Sequence, residues 1–324
     1  MERPFVSVVI ATRNRAALLA ETLRALSRQR WPADRLEVVL VDNGSTDGTA
    51  DTIAATWKPT TGIPLRYLYL REPGKSRAVN AGLAVARGQV IALTDDDAQP
   101  EPAWVDRLVG ALRETGSDFV AGRMRPIWEV APPRWMSPAL FGALAVPDNG
   151  PQRQLLTRSG NAMPIGANMA LTRRAVDHLG GFCESLGKLE GTLQTGEDHE
   201  LFLRLLSAGY RGVYEPTAVV HHLVSASRLT PGYFRRWLYQ NGRDTARLQH
   251  SYPPRDRMLG GIPRYLWREA AADAVAMARA ALVRDAPQRF ASSVRLAWFA
   301  GYIRETVRAR HAPPARARVA VTVR

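Results

Sequence analysis

One cysteine, Cys183, stands among 324 residues, which excludes an internal disulfide and any local Cys/His cluster with metal-ligand spacing. Long apolar runs are missing as well. Even residues 270–282 are broken by Asp273 and Arg279, short of the roughly 18 uncharged apolar residues that a membrane-spanning helix needs. The first ten residues carry a charge pair and a proline before a short apolar run, unlike a secretory signal. The expected location is therefore cytoplasmic, either soluble or peripheral on the inner face of the cell membrane. No internal repeat is present. No G-x-G-x-x-G follows the first apolar run, whose turn reads Ala11-Thr12-Arg13-Asn14-Arg15, so a dinucleotide fingerprint is absent. Gly74-Lys75-Ser76 lacks the earlier glycine of a phosphate loop, since Tyr69 holds that position.

Lysine is also absent from the last hundred residues. Residues 225–324 hold 19 arginines against six acids, a net +13 of the chain's +14, so the first 224 residues are nearly neutral. A near-neutral core with a cationic appendage is the economical description. Apolar residues at 46% and charged residues at 23% sit in the ordinary globular range, and the length suits one large α/β domain with an extension.

Short apolar, β-branched runs at 5–12, 36–41, 65–70 and 89–94 read as strands. Helical spacing fills the intervals at 16–28, 49–57 and 76–87. This βαβαβαβ order predicts a parallel sheet covered on both faces, with ligands outside the carboxyl ends of the strands, at Thr12, Asp42 and Asp95. Beyond lie a helix at 103–114, a strand at 119–122 and a Pro-, Gly- and Trp-rich stretch at 126–164, long enough to suggest a lid or acceptor-binding insertion. A helix at 197–208 precedes a strand at 212–221, and from Pro231 the chain reads as helical with Arg-rich faces.

Three carboxylates, Asp95, Asp96 and Asp97, follow one of these strands directly. Charges this close repel, and a divalent cation with oxygen ligands relieves them; the bland alternative is a solvated turn before the next helix. Asp42 ends a second strand, where its carboxylate can accept hydrogen bonds from a base or ribose, while Thr46 or Asp47 can cap the following helix. Lys75 and Arg77 are candidate diphosphate contacts. Glu197-Asp198 opens a helix beside Gly196, a placement that suits either dipole stabilisation or deprotonation of an acceptor hydroxyl. His221-His222, at a strand end, reads equally as a satisfied edge pair.

Taken together, these motifs make the chain resemble the family 2 glycosyltransferases over roughly residues 5–245. The resemblance rests on Val6-Ser7-Val8-Val9-Ile10-Ala11-Thr12-Arg13-Asn14-Arg15, Val41-Asp42-Asn43-Gly44-Ser45-Thr46-Asp47 and Lys75-Ser76-Arg77-Ala78-Val79-Asn80-Ala81-Gly82. It continues through Leu93-Thr94-Asp95-Asp96-Asp97, Gly166-Ala167-Asn168-Met169, Gly196-Glu197-Asp198 and the run from Pro216 to His222. It implies the GT-A fold, a Rossmann-like and mostly parallel α/β sheet flanked by helices, and inverting sugar transfer from a nucleoside-diphosphate donor with Mg²⁺ or Mn²⁺. On that likeness Asp198, with Glu197, is the catalytic base, Asp97 and His222 are metal ligands, and Ala11, Thr12, Arg13, Asp42, Lys75, Arg77, Asp95 and Asp96 bind the donor. Gly166, Ala167 and Asn168 are expected at the acceptor. Residues 1–225 are expected to form the catalytic domain, split into a donor half (1–100) and an acceptor half (101–225). Residues 226–310 are a helical basic extension and 311–324 a disordered tail. Gln240-Asn241-Gly242-Arg243 lacks the tryptophan of the processive Q-x-x-R-W signature, which points to single-sugar transfer onto a sugar, lipid-linked or other hydroxyl. A nucleotidyltransferase, an inactive nucleotide-binding scaffold and a nucleic-acid binder built on the basic end remain the alternatives.

Overall fold

The computed structural model of the chain describes residues 3–158, 160, 162–187, 193–254 and 256–311. The expected tail beyond His311 lies outside the described residues. The chain divides into two units, 1–234 and 235–324.

Four runs rich in Val, Ile and Leu form β1 (Val6–Thr12), β2 (Leu36–Asp42), β3 (Leu65–Tyr69) and β4 (Val90–Leu93). They pair in parallel in the order β3-β2-β1-β4. Nearly every residue of β1, β2 and β4 is buried, as expected of strands covered on both faces. Two polar residues inside the strands, Ser7 and Glu37, satisfy each other at 2.6 Å, and Glu37 also accepts from the Arg87 backbone N–H at 2.8 Å and from its guanidinium at 2.9 Å. Helices α1 (Ala16–Leu26), α2 (Thr49–Thr56) and α3 (Lys75–Val85) connect these strands. Leu19, Leu23 and Leu26 share one face of α1 and are buried.

Beyond β4 the sheet becomes mixed. The elements are β5 (Ala98–Pro100), α4 (Trp104–Thr115), β6 (Phe119–Trp128), β7 (Gln154–Leu156), β8 (Met169–Thr172), α5 (Arg173–Leu179), α6 (Glu197–Ser207) and β9 (Gly212–Val224). Antiparallel β8 separates β4 from β6, β6 pairs with β9 in parallel, and β5 and β7 both run antiparallel to β9. The stretch expected to be a long loop is substantially built. It contains the end of β6, a 3₁₀ helix at Pro138–Leu144 with Leu140, Ala143 and Leu144 buried, and β7. Trp128 meets Phe141 edge to face at 5.5 Å, so the segment carries a small apolar centre of its own.

The second unit takes in most of α7 (Pro231–Ser251), then the hairpin β10 (Met258–Leu259) and β11 (Ile262–Pro263), α8 (Arg264–Leu282) and α9 (Ala286–His311). Ala246, Ile262, Leu266, Phe299 and Tyr302 form its core. Glu305 accepts from Arg243 at 2.9 Å and from Arg247 at 2.8 Å, so part of the arginine excess is turned inward.

Gly82 brings α3 against the sheet, where an added Cβ would stand 2.5 Å from Val9 Cγ1 and 3.2 Å from Val41 Cγ2. Gly82→Ala is expected to lower stability by about 1–3 kcal/mol through overpacking. Gly48→Ala, at a position with nothing within 4 Å, is the control expected to change little in the same thermal melts.

Candidate active site

Parallel pairing sets Thr12 beside Asp42, and β4 delivers Asp95, Asp96 and Asp97 to the same carboxyl edge. The three aspartates leave the strand in different directions. Asp95 meets Lys75 Nζ at 2.8 Å. Asp96 is buried, accepts from Thr12 Oγ1 at 2.8 Å and from Arg15 at 3.0 Å, and its backbone carbonyl accepts from Thr22 Oγ1 at 3.0 Å. Asp97 takes the same Arg15 nitrogen at 2.8 Å, and its other oxygen lies 3.3 Å from Nε2 of buried His222. The protein itself thus surrounds its acidic run with Lys75, Arg15 and His222. Sequence reasoning placed no role on Arg15, although an acidic triplet at a strand end calls for a nearby cation.

His222 reaches this point because the three-residue β5 pairs Ala98 with His222, while the Asp97 carbonyl accepts from Leu223 N at 3.0 Å. Strand alternation turns His221 the other way, onto Glu101 at 3.0 Å. Between the two histidines, the pairing therefore selects His222.

Burial pushes Asp96 up to about 6 against the pull of Arg15. Burial acts likewise on Asp97, but His222, Arg15 and Lys75 outweigh it and hold this carboxyl below its usual range. For Lys75, burial opposes the charge, yet Asp95, Asp198 and Glu197 prevail and raise it.

Helix α6 begins at Glu197, and its first turn carries Asp198 toward Lys75 and Asp95. Asp198 accepts from Gly166 N at 2.9 Å, and a Cβ on Gly166 would stand 2.9 Å from its Oδ1, so the glycine leaves room for the carboxylate. Lys75, Asp95, Gly166, Glu197 and Asp198 line one pocket. Burial, reinforced by the charge of Glu197, pushes Asp198 up to about 7 against Lys75 and the Gly166 N–H. A larger cavity of about 330 Å³ lies elsewhere, between Trp31, α4 and Arg153, and its acids Asp106, Glu114 and Glu215 are paired with Arg3 or Arg153.

Other expected residues fall into different settings. Ala11 lies in β1, and half-buried Arg13 directly follows that strand. Asp42 is buried and accepts from Ser45 N at 2.7 Å and from Tyr67 Oη at 2.9 Å. Asn14 stitches the β1 turn to the β2 turn by accepting from Thr46 N at 2.7 Å, while its own N–H donates to Ser45 Oγ at 2.9 Å. Exposed Arg77 pairs with Glu72 and Glu184. Among the acceptor candidates only Gly166 lines the pocket. Ala167 is buried, and the amide of buried Asn168 accepts from Trp104 Nε1 at 2.8 Å and donates to the carbonyls of Arg123 and Ala218 at 2.9 Å each. Its side chain ties β6, β9 and α4 to the turn before β8.

Among the described residues no three His, Cys, Asp or Glu side chains converge as a metal cluster. Asp97 Oδ1 and His222 Nδ1 are nevertheless buried without hydrogen-bond partners. A carboxylate oxygen and an imidazole nitrogen are donor types that a divalent cation accepts, and Asp97 Oδ1 otherwise has only His222 Nε2 at 3.3 Å.

A family model described as Glycosyl transferase family 2 matches residues 7–180, more than half of the chain. The chain belongs to glycosyl transferase family 2. Among curated relatives, glycosyltransferase AglE of Haloferax volcanii is 34% identical over 121 residues, covering 37% of this chain and 40% of that protein. The probable glycosyltransferase YdaM of Bacillus subtilis is 27% identical over 242 residues, covering 67% of this chain and 50% of that protein. The chain thus spans about half the length of the curated relatives it matches. The mannosyltransferase PcManGT of Pyrobaculum calidifontis, solved with GDP-Man and Mn²⁺, superposes with a TM-score of 0.66 at 23% identity, covering 94% of this chain and 88% of its own. The fold of this family 2 member is GT-A.

A raised carboxyl binds its proton in the folded state at a pH where the unfolded chain has released it, so stability declines as pH climbs from the ordinary carboxylate range toward about 7. Asp198→Asn, which keeps an acceptor oxygen for Gly166 N–H, removes that penalty. The variant is expected to melt above wild type at about pH 8, with the difference shrinking toward about pH 4.

Proposed function

We propose that the chain transfers a sugar from a nucleoside-diphosphate-sugar donor to an acceptor hydroxyl, with inversion and with assistance from Mg²⁺ or Mn²⁺. The observation that carries this reading is the joining of two acidic centres through Lys75: the Asp95–Asp97 rim on one side and Asp198, raised toward neutrality, on the other. General bases work best with a pKa near the operating pH, and Asp198 meets that condition in the small pocket it lines with Lys75, Asp95 and Gly166.

In this mechanism the turns after β1 and β2, with Ala11, Thr12, Arg13 and Asp42, receive the nucleoside, and Lys75 lies beside the diphosphate. Asp96 holds Thr12 and Arg15 in place. Asp97 and His222 would hold the cation, which supplies Lewis-acid stabilisation of the departing diphosphate. Asp198 accepts the acceptor's proton as the hydroxyl oxygen attacks the anomeric carbon from the face opposite the leaving group. Burial, helped by repulsion from Glu197, keeps Asp198 basic. The solved complex of PcManGT with GDP-Man and Mn²⁺ supports this choice of donor and metal, and nucleoside diphosphates are the ligands to try first.

Asp198→Asn is expected to bind nucleoside diphosphate as wild type does while losing on the order of 10²–10⁴ in transfer rate. Equal transfer by this variant contradicts the base assignment, and release of pyrophosphate instead of nucleoside diphosphate points to a nucleotidyltransferase. Asp97→Ala is expected to abolish the Mn²⁺-dependent part of the rise in melting temperature that nucleoside diphosphate produces. In wild type, kcat/KM is expected to climb with pH through about 7, where Asp198 is half deprotonated, and to level off about one pH unit higher.

A further inference from the structure

We propose that the outward face of α8, together with the turn into α9, is a docking surface for an anionic lipid bilayer. Residues 264, 268, 271, 275, 279 and 282 recur at helical spacing and form one stripe along the helix. Val275, Leu282 and Val283 on or beside it are 51%, 84% and 75% exposed. Ala271, Ala272 and Ala276 line a shallow groove with Val275 and Val283, which extends the apolar surface. The hairpin before α8 adds Met258 and Leu259, both exposed, at the other end of a helix about 28 Å long. Scattered exposed apolar residues are ordinary; a continuous stripe ending in adjacent Leu282 and Val283 marks an interaction surface.

Its charge selects the partner. Arg264, Arg268 and Arg279 lie in the stripe, Arg284 occupies the turn and Arg289 begins α9; among the described residues none of the five has an ion-pair partner. Of the neighbouring acids, Asp273 binds Arg295, while Asp285 lies at the end of the groove, accepts from Gln288 N at 3.0 Å and is outnumbered by the five arginines. Glu269 leaves the flank of α8, roughly 100° around the helix from Arg268. A second copy docked symmetrically would set these arginines against one another, and a nucleic acid would leave Leu282 and Val283 unused. A bilayer surface uses both features, with phosphate headgroups on the guanidinium groups and the interfacial acyl region around the apolar side chains. No helix of the described residues is long and apolar enough to cross a membrane, so α8 would lie along the surface.

The test is flotation of the full-length protein with phosphatidylcholine vesicles, with and without phosphatidylglycerol. Wild type is expected to float with the anionic vesicles only and to be released by salt. Arg264→Gln/Arg268→Gln/Arg279→Gln is expected to weaken this binding on the order of 100-fold. Leu282→Asp/Val283→Asp is expected to abolish it, and both variants should keep wild-type melting curves because the altered side chains are exposed. Nucleoside diphosphate binding should also be unchanged in both, so the docking surface can fail without touching the transfer reading. Failure of wild type to float with anionic vesicles overturns the proposal, as does undiminished flotation of both variants. A dimer or an RNA complex formed in place of vesicle binding, and lost in Leu282→Asp/Val283→Asp, overturns it as well.

Discussion

Three adjacent carboxylates at the end of a buried strand can coexist only if each finds a positive partner, and this constraint organises the first unit. Asp95 takes Lys75 from the first turn of α3, Asp96 and Asp97 share Arg15 from the turn before α1, and Asp97 also faces His222 from β9. Coulomb attraction at these distances is strong where water is scarce, and burial penalises any aspartate left alone. The acidic rim is therefore held by elements widely separated in the chain.

That network also explains why the later half of the sheet looks as it does. Bringing His222 to Asp97 requires β9 to continue past Glu215, across a register shift opposite Gly122 and Arg123, until its end pairs with β5. Asn168 closes the opening this creates by binding the carbonyls of Arg123 and Ala218 on either side. On the other flank, Gly166 positions Asp198 through its backbone N–H. Asp97 Oδ1 and His222 Nδ1 are among the few buried polar atoms of the described residues with no hydrogen bond, and both belong to this rim.

Much of this was legible from the residues alone. Continuous apolar runs ending in Thr12, Asp42 and Asp95 announce parallel strands with chemistry at their carboxyl edge, and that is where the first four strands place those residues. The elements β5, β8 and α5, three to seven residues long, are too short to show a period. Without β5 nothing distinguishes His222 from His221, because the choice depends on register. Asn168 sits in a motif that suggested acceptor binding, but its contact with Trp104, 64 residues away, exists only once the chain has folded. Arg15 was visible in the turn, yet its pairing with two aspartates depends on β1 and β4 being neighbours. In the second unit the composition revealed the excess of arginine, and the fold revealed which arginines turn inward to Glu305 and which remain outside along α8.

The claim on which the account rests is that the unsatisfied atoms of Asp97 and His222 mark a cation site facing a nucleoside diphosphate. Anomalous diffraction from crystals soaked with Mn²⁺ and a nucleoside diphosphate tests it most directly. The account predicts a manganese peak in coordination contact with Asp97 and the diphosphate, adjacent to His222. Manganese bound away from the β4 edge, or a diphosphate lodged elsewhere on the protein, contradicts it.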